Sequence, residues 1–340
     1  MSSWYNKVTD NSDIIVTSRI RLARNLQGFA FPSRMTDEEF LEMNSKIKNA
    51  ILESNTPFAK KLKYIDMNDV PEVEAFAMVE RHVISPEFAR KKRNKAIIIS
   101  EDESICVMIG EEDHIRIQVV KSGLALTEAY DIAERIDTLL CDKLHFAFNS
   151  QFGYLTECPT NLGTGLRASV MLHLPMLEAT REIAYIGESV NKIGFTIRGM
   201  YGEGSDAAAS LYQLSNQITL GISENDALGN LALMTRQIIE KETAARNACD
   251  KIGIEDSIYR SYGILSNARK ITTEEMMKYV SLIKLGASMG ILDIDKSLPT
   301  KIMVEGQPNM LMRKYGNLEP QERDIKRSEI IRALLTKGNA

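Results

Sequence analysis

The chain lacks most of the features that would classify it at sight. Its 340 residues include only four cysteines, Cys106, Cys141, Cys158 and Cys249, and no CxxC pair. A disulfide framework or cysteine-built zinc site is therefore not expected. No apolar run approaches the roughly 18 residues of a membrane span. The N-terminal stretch, MSSWYNKVTDNSD, is polar and has no signal-peptide core, so the expected location is the cytoplasm. Lys+Arg total 42 against 46 Asp+Glu, a net charge of −4, which leaves no electrostatic footprint for nucleic acid. There is no GxxxxGK[ST] sequence, and no kinase glycine loop with an HRD or DFG partner. GxGxx[GA] patterns occur from Gly163 and from Gly202. Neither opens a helix after a buried parallel strand, so no dinucleotide site is expected.

What is present is a clear succession of elements. An apolar-rich strand spans Asp13 to Leu22. Thr36 and Glu39 form a capping-box signature for a helix carrying Phe40, Met43, Ile47 and Ile51 on one face. Three short strands, Ala96–Ile99, Ile105–Ile109 and His114–Val120, are joined by acidic turns, which predicts antiparallel hairpins. A helix follows from about Thr127 to Leu144. The strand at 167–174 stops at Pro175, which suits the first turn of a helix ending near Gly194. Strands Phe195–Tyr201 and Leu211–Leu220 precede a long helix, Glu224 to Asp250. Beyond it the pattern is helical, with loops near Asp293–Pro299 and Gly306–Pro308. The expected class is α+β: a mainly antiparallel sheet flanked by helices over residues 1–250, then an all-helical domain over 251–340.

With no glycine loop to cradle phosphate, arginine is the alternative clamp, because its planar fork matches phosphate oxygens. Side chains alternate faces along a strand. In TSRIRL, Arg19 and Arg21 share a face with Thr17, while Ser18, Ile20 and Leu22 take the other. In HIRIQV, Arg116 lies opposite Ile115 and Ile117. In LRASVMLHL, Arg167, Ser169 and Met171 oppose Ala168, Val170 and Leu172. Arg198 opposes Ile197 in FTIRGMY. If these strands join one sheet, five guanidinium groups converge on a surface backed by core. Like charges on one face repel, and a polyanion such as ATP relieves that repulsion. The turn Gly110-Glu111-Glu112-Asp113 adds carboxylates beside Arg116, suited to two parallel hydrogen bonds from an acceptor guanidinium. Taken singly, each arginine strand could be a solvated face, and the turn an ordinary acidic hairpin tip.

CPTNLGTGLRASV at 158–170 resembles the signature of the phosphagen (guanidino) kinases. GEEDHIR at 110–116 is similar to their acidic motif, with Gly110 where the family usually has asparagine. TSRIRLARN at 17–25 resembles their first arginine strand, and RGMYGEG at 198–204 their later nucleotide loop. Over its whole length the chain resembles the bacterial protein-arginine kinases of the McsB type. Small-guanidine members carry a helical domain before the first arginine strand. Here Arg19 comes early, which implies a bulkier acceptor. The tail residues Arg323, Asp324, Ile325, Lys326, Arg327 and Ser328 resemble the RDxxRA motif that binds phosphoarginine at an allosteric site, with Ser328 in place of alanine.

The resemblance implies that Thr17, Ser18, Arg19, Ile20, Arg21, His82, Arg116, Arg167, Ala168, Ser169, Val170, Met171, Arg198, Gly199, Met200, Tyr201, Gly202 and Glu203 bind ATP. It implies Mg2+ bridging the phosphates, with no direct protein ligand assigned. An acceptor guanidinium holds its proton with a pKa above about 12, so a carboxylate must align it and accept the proton. The resemblance gives that task to Glu112, helped by Glu111 and Asp113, with Glu203 touching the acceptor. Cys158 matches the family's reactive cysteine. The implied partners are arginine-bearing proteins, an activator protein, a Clp ATPase and protease, a heat-shock repressor and a second copy of the chain. Two other readings stay open: a kinase of free arginine or another small guanidine, and a non-catalytic adaptor that reads phosphoarginine.

Overall fold

The computed structural model describes residues 4–6, 13–54, 56–199 and 208–337. Met200, Tyr201, Gly202 and Glu203 lie outside the described residues. After a turn at Trp4–Asn6 come β1 (Ile15–Arg24) and α1 (Asp37–Leu52). The capping box forms as expected. The Glu39 amide donates to Thr36 Oγ1 at 3.2 Å, and the Thr36 amide donates to the Glu39 carboxylate at 2.9 Å. Next are β2 (Leu62–Asp66), α2 (Glu72–Glu80) and α3 (Pro86–Arg90). Strands β3 (Ala96–Ser100), β4 (Ile105–Ile109) and β5 (Ile115–Ser122) match expectation closely, as does α4 (Leu126–Cys141). A small hairpin, β6 (Phe148–Asn149) with β7 (Gly153–Tyr154), precedes β8 (Leu166–His173).

The single helix expected after Pro175 is two, α5 (Pro175–Ala179) and α6 (Glu182–Asn191). Arg181 between them has φ +61°, a left-handed conformation that ends a right-handed helix. Apolar periodicity runs through the break and conceals it. Strands β9 (Phe195–Gly199) and β10 (Leu211–Asn216) are shorter than expected, and the long helix α7 is Glu224–Ala248. The remainder is helical: α8 (Lys251–Asn267), α9 (Thr273–Ser288), α10 (Leu298–Glu305), α11 (Pro308–Tyr315) and α12 (Pro320–Lys337).

Among the described residues, eight strands form one sheet in the order β2-β3-β4-β5-β1-β8-β10-β9, and every neighbouring pair is antiparallel. Its register decides the arginine question. Arg19 stands opposite Val120 and Ser169, and Arg21 opposite Gln118 and Arg167. Arg116 pairs with Ala23, and Arg198 with Gln213, which itself faces Met171. Directly opposed residues of an antiparallel ladder project from the same face. All five arginines therefore share one side of the sheet.

The reverse side is dry. Ile20, Leu22, Ile115, Ile117, Val119, Ala168, Val170 and Leu214 pack there against Ile47 of α1, Ile136 of α4 and Leu231 of α7. The arginine side is covered only at its margins. Phe88 and Met78 lie over Ile97, Ile99, Cys106 and Met108, and α9 and α10 pack near Met171 and Leu211. Between these margins lies an open cleft.

The helical tail is bolted to the sheet by a buried polar network. Glu242 of α7, with no exposed surface, accepts from the amides of Met176 and Leu177 at the start of α5, at 3.3 and 3.0 Å. It also pairs with Arg246 at 2.8 Å, and Arg246 donates to Ser288 of α9 at 2.9 Å. Removing one partner strands the other's charge. Glu242→Ala should therefore lower the unfolding free energy by roughly 3–5 kcal/mol, measured by urea denaturation. A loss below about 1 kcal/mol would show that this network does not hold the two parts together.

Candidate active site

The cleft has a volume of about 1360 Å3, and Arg21, Arg116, Arg167 and Arg198 line it with Glu111, Glu112 and Cys158. Its floor is an unusual concentration of positive charge. Among the described residues no carboxylate pairs with Arg19, Arg21 or Arg167. Burial lowers the Arg19 pKa to about 10. The Arg21 guanidinium is pushed well down by burial, then by the charges of Arg116, Arg19 and Arg167. Arg167 is lowered by burial and by Arg198. Only the charge of Glu111 at Arg21, and those of Cys158 and Glu112 at Arg167, favour the protonated state. The site therefore holds cations in place that lack anions, and a polyphosphate would supply them.

Arg116, by contrast with these three, is paired. It pairs with Glu111 and, at 3.1 Å, with Glu112. The two glutamates differ in environment. The Glu111 side chain is 6% exposed and accepts from the Ser85 hydroxyl, whereas that of Glu112 is 56% exposed. Glu112 is thus the carboxylate free to meet an incoming group, and Glu111 is fixed in the floor.

Asp113, expected to help Glu112, is engaged by partners from elsewhere in the chain. It is buried, and its Oδ1 accepts from Asn25 Nδ2 at 2.6 Å and from the Glu157 amide at 2.8 Å. Asn25 also accepts from the His114 amide at 2.9 Å. Asp113 and Asn25 thus clip the acidic turn to the end of β1 and to the loop carrying Cys158. Burial raises the Asp113 pKa, opposed by these hydrogen bonds. Cys158 lines the cleft with its sulfur 3.1 Å from Thr160 Oγ1.

His82 lies at the margin formed by α2 and α3. Its φ is +61°, a strained conformation for a non-glycine residue. Gln118 on the arginine face holds it there, donating to the carbonyls of His82 and Val83 at 3.0 and 2.9 Å. Trp4 packs on its ring at 5.7 Å. Burial, then the Arg19 charge, lowers the His82 pKa to about 3, so the imidazole is neutral at physiological pH.

Other expected residues are distributed by the pleat. Thr17, Ser169 and Met171 share the arginine side, and Gly199 ends β9 beside it. Ser18, Ile20, Ala168 and Val170 point to the reverse side; Ser18 Oγ donates to the Gly123 carbonyl at 2.7 Å. Any contact these four make in the cleft comes through the backbone. Ser85, Lys95, Glu157, Gln213 and Ser215 also line the cleft and were missed. Alternation in β10 would have placed Gln213 and Ser215, and Ser85-Pro86 carries a helix-start signal.

In α12, Arg323 and Arg327 do not present an open pair. Arg327 is buried and donates to the carbonyls of Gly306 and Ile271, each at 2.7 Å, and pairs with Asp324 at 2.6 Å. Ser328 is also buried, bonded to the Arg269 carbonyl. Lys326 pairs with Glu329, Ile325 is exposed, and Arg323 is half-buried near Met312.

Comparison with known proteins places this geometry in a class. Residues 42–245 match the model of the ATP:guanido phosphotransferase C-terminal catalytic domain. Among solved structures, a lombricine kinase superposes with a TM-score of 0.62 at 22% identity, over 73% of this chain and 74% of that one. A substrate-free duplicated taurocyamine kinase from Schistosoma mansoni gives 0.60 at 25% identity, over 81% and 42%. Residues 251–340 match the protein-arginine kinase McsB C-terminal domain. A protein-arginine kinase of Halothermothrix orenii is 44% identical, covering 98% of this chain and 97% of the relative. One of Bacillus subtilis is 43% identical, over 98% and 93%. The chain belongs to the ATP:guanido phosphotransferases, in their protein-arginine kinase branch.

The unpaired cations make a prediction about stability. Arg21→Gln should stabilise the nucleotide-free protein by about 1 kcal/mol, because it removes a buried charge repelled by three neighbours. It should also shrink the rise in Tm that ATP produces. Thermal denaturation with and without ATP checks both. A fall in the nucleotide-free Tm would contradict the charge argument.

Proposed function

We propose that this chain transfers the γ-phosphoryl group of ATP to arginine side chains of proteins. The observation that carries the reading is five arginines on one sheet face, three of them without a carboxylate partner among the described residues, beside a turn that exposes Glu112. Phosphoryl transfer asks the protein for positioning and charge neutralisation above all. Arg19, Arg21, Arg116, Arg167 and Arg198 hold the phosphate chain, and His82, with its neutral imidazole, is assigned to the adenine side. Residues Met200, Tyr201, Gly202 and Glu203 are proposed to complete the nucleotide loop.

Magnesium takes one or two carboxylates plus substrate phosphates and keeps several waters. Glu111 would fit that sparse requirement beside the phosphates, and among the described residues no group of three or more His, Cys, Asp or Glu could hold a metal alone. When bound, the ion neutralises charge on the phosphate oxygens. Glu112 aligns the acceptor guanidinium by two parallel hydrogen bonds and accepts its proton as the N–P bond forms and the bond from the γ-phosphorus to the bridging oxygen breaks, with ADP as the leaving group. To do so it exchanges its pairing with Arg116, which turns to the phosphate. Cys158, which lines the same cleft, is assigned to the acceptor side.

The product replaces a cation by an anion, which abolishes the salt bridges and phosphate contacts of the original arginine. We place the enzyme in the cytoplasm, with Clp-type proteolysis and a heat-shock repressor as readers of the mark and an activator protein as its control. The helical domain 251–340 is proposed to dimerise and to bind phosphoarginine through Arg323, Asp324, Ile325, Lys326, Arg327 and Ser328. Arg327 already braces this domain, so Arg323→Ala is the informative change. It should weaken binding of phosphoarginine peptides without unfolding, and undiminished binding would leave the segment a purely structural role.

For the reaction itself, the protein is incubated with ATP and an arginine-rich protein, and separately with free arginine. Mass spectrometry under non-acidic conditions should find phosphoarginine on the protein. Turnover of the free amino acid alone would overturn the reading. Glu112→Gln should lower kcat by about 10²–10⁴-fold with little change in the KM for ATP.

A further inference from the structure

One segment of the cleft has no part in this mechanism. Residues 90–95, Arg-Lys-Lys-Arg-Asn-Lys, place five cations in six positions between α3 and β3. They line the same cleft as Glu111, Glu112 and Cys158. Two of the five cations have carboxylate partners. Arg90 pairs with Glu87, and Arg93 with Asp37. Lys91 is exposed, and Lys92 reaches the Val70 carbonyl at 2.6 Å.

A run of charge is usually a solvated face, but this one is built onto the acidic turn. Asn94 donates to Asp37 at 2.6 Å and adopts φ +55°, which anchors the loop to the start of α1. The Asn94 carbonyl presses on Gly110, where a Cβ would come within 2.5 Å of it. Gly110 has φ +77°, so glycine serves both the turn and this close approach. The basic loop and the turn that presents Glu112 are therefore in direct backbone contact. Lys95 senses the charges of Glu111 and Arg116.

The floor arginines are committed to phosphate, so the rim's charge faces the rest of the acceptor. Residues flanking an arginine inserted toward Glu112 leave the cleft over this rim, at about 3.3 Å per residue. We propose that the rim Arg90–Lys95 is a docking surface for the acceptor polypeptide that selects arginines with acidic neighbours. The proposal rests on the protein-arginine kinase reading and names its substrate class. Because the rim is exposed, its attraction is screened over about 8 Å at physiological salt. It acts on encounter and KM rather than on the chemical step.

The test uses the full chain, ATP and two peptides with one arginine each, flanked by glutamate in one and by glutamine in the other. The glutamate peptide should have a KM about five- to twentyfold lower, with similar kcat, and the difference should shrink as salt is raised. In Arg90→Glu/Lys91→Glu the KM ratio should fall to one or invert. If that variant does not fold, Arg90→Gln/Lys91→Gln replaces it, and its ratio should fall toward one. Equal KM values for the wild type would overturn the rim's role while leaving the kinase reading intact. Phosphorylation of neither peptide, with turnover of free arginine, would overturn both. A ratio of one, together with rim-dependent binding of a fluorescent single-stranded oligonucleotide at physiological salt, would reassign the rim to nucleic acid.

Discussion

The structure depends on one electrostatic constraint: guanidinium groups held close together on a sheet face, three of them with no carboxylate partner among the described residues. Such a cluster resists its own assembly. Arg21 shows this most clearly, since burial and the charges of Arg116, Arg19 and Arg167 all oppose its protonated form. The cost is sustained by what lies behind it. Ile20, Leu22, Ile117, Val119, Ala168 and Val170 are fully or almost fully buried on the reverse face, and burial of that kind contributes about 1.5–3 kcal/mol per large side chain. The apolar face supplies the stability that the polar face withholds, and the withheld part becomes affinity for a polyanion.

The same economy shapes the acceptor side. Three successive carboxylates leave the turn for three environments. Glu111 lies in the floor with Arg116 and Ser85, Glu112 is exposed, and Asp113 is buried with Asn25. Because Asp113 and Asn25 fix the turn from beneath, Glu112 is presented on a rigid support, as a group that must align a guanidinium requires. Gly110 extends that support sideways, letting the basic loop at 90–95 lean on the turn. The helical tail reaches the sheet through Glu242, Arg246 and Ser288, and its own Arg327 braces the loops before α9 and after α10.

Much of this was legible in the residue order. Alternation in TSRIRL, HIRIQV, LRASVMLHL and FTIRGMY is a local property of extended chain, so it assigned each arginine to the face opposite the core. The capping box at Thr36 and Glu39 and the proline at 175 are equally local signals. The α+β class followed from the succession of short strands and long helices, and the family's motifs identified the chemistry.

What the sequence could not decide was how distant pieces meet. The order β2-β3-β4-β5-β1-β8-β10-β9 brings Arg19 and Arg21 between Arg116 and Arg167, and only long-range strand register sets that arrangement. The burial of Asp113 and Arg327 was equally hidden, because a charged residue reads as exposed until its partners, Asn25 or the carbonyls of Gly306 and Ile271, arrive from elsewhere in the chain. The split at Arg181 depends on a single left-handed residue that periodicity does not register. The sequence by itself determined which side chains carry the chemistry and which face of each strand they occupy, since one residue's dihedrals and its neighbours set those. Tertiary structure alone decided which charges are paired, which are stranded and which stay open to a substrate, because pairing is settled between residues that the chain keeps far apart.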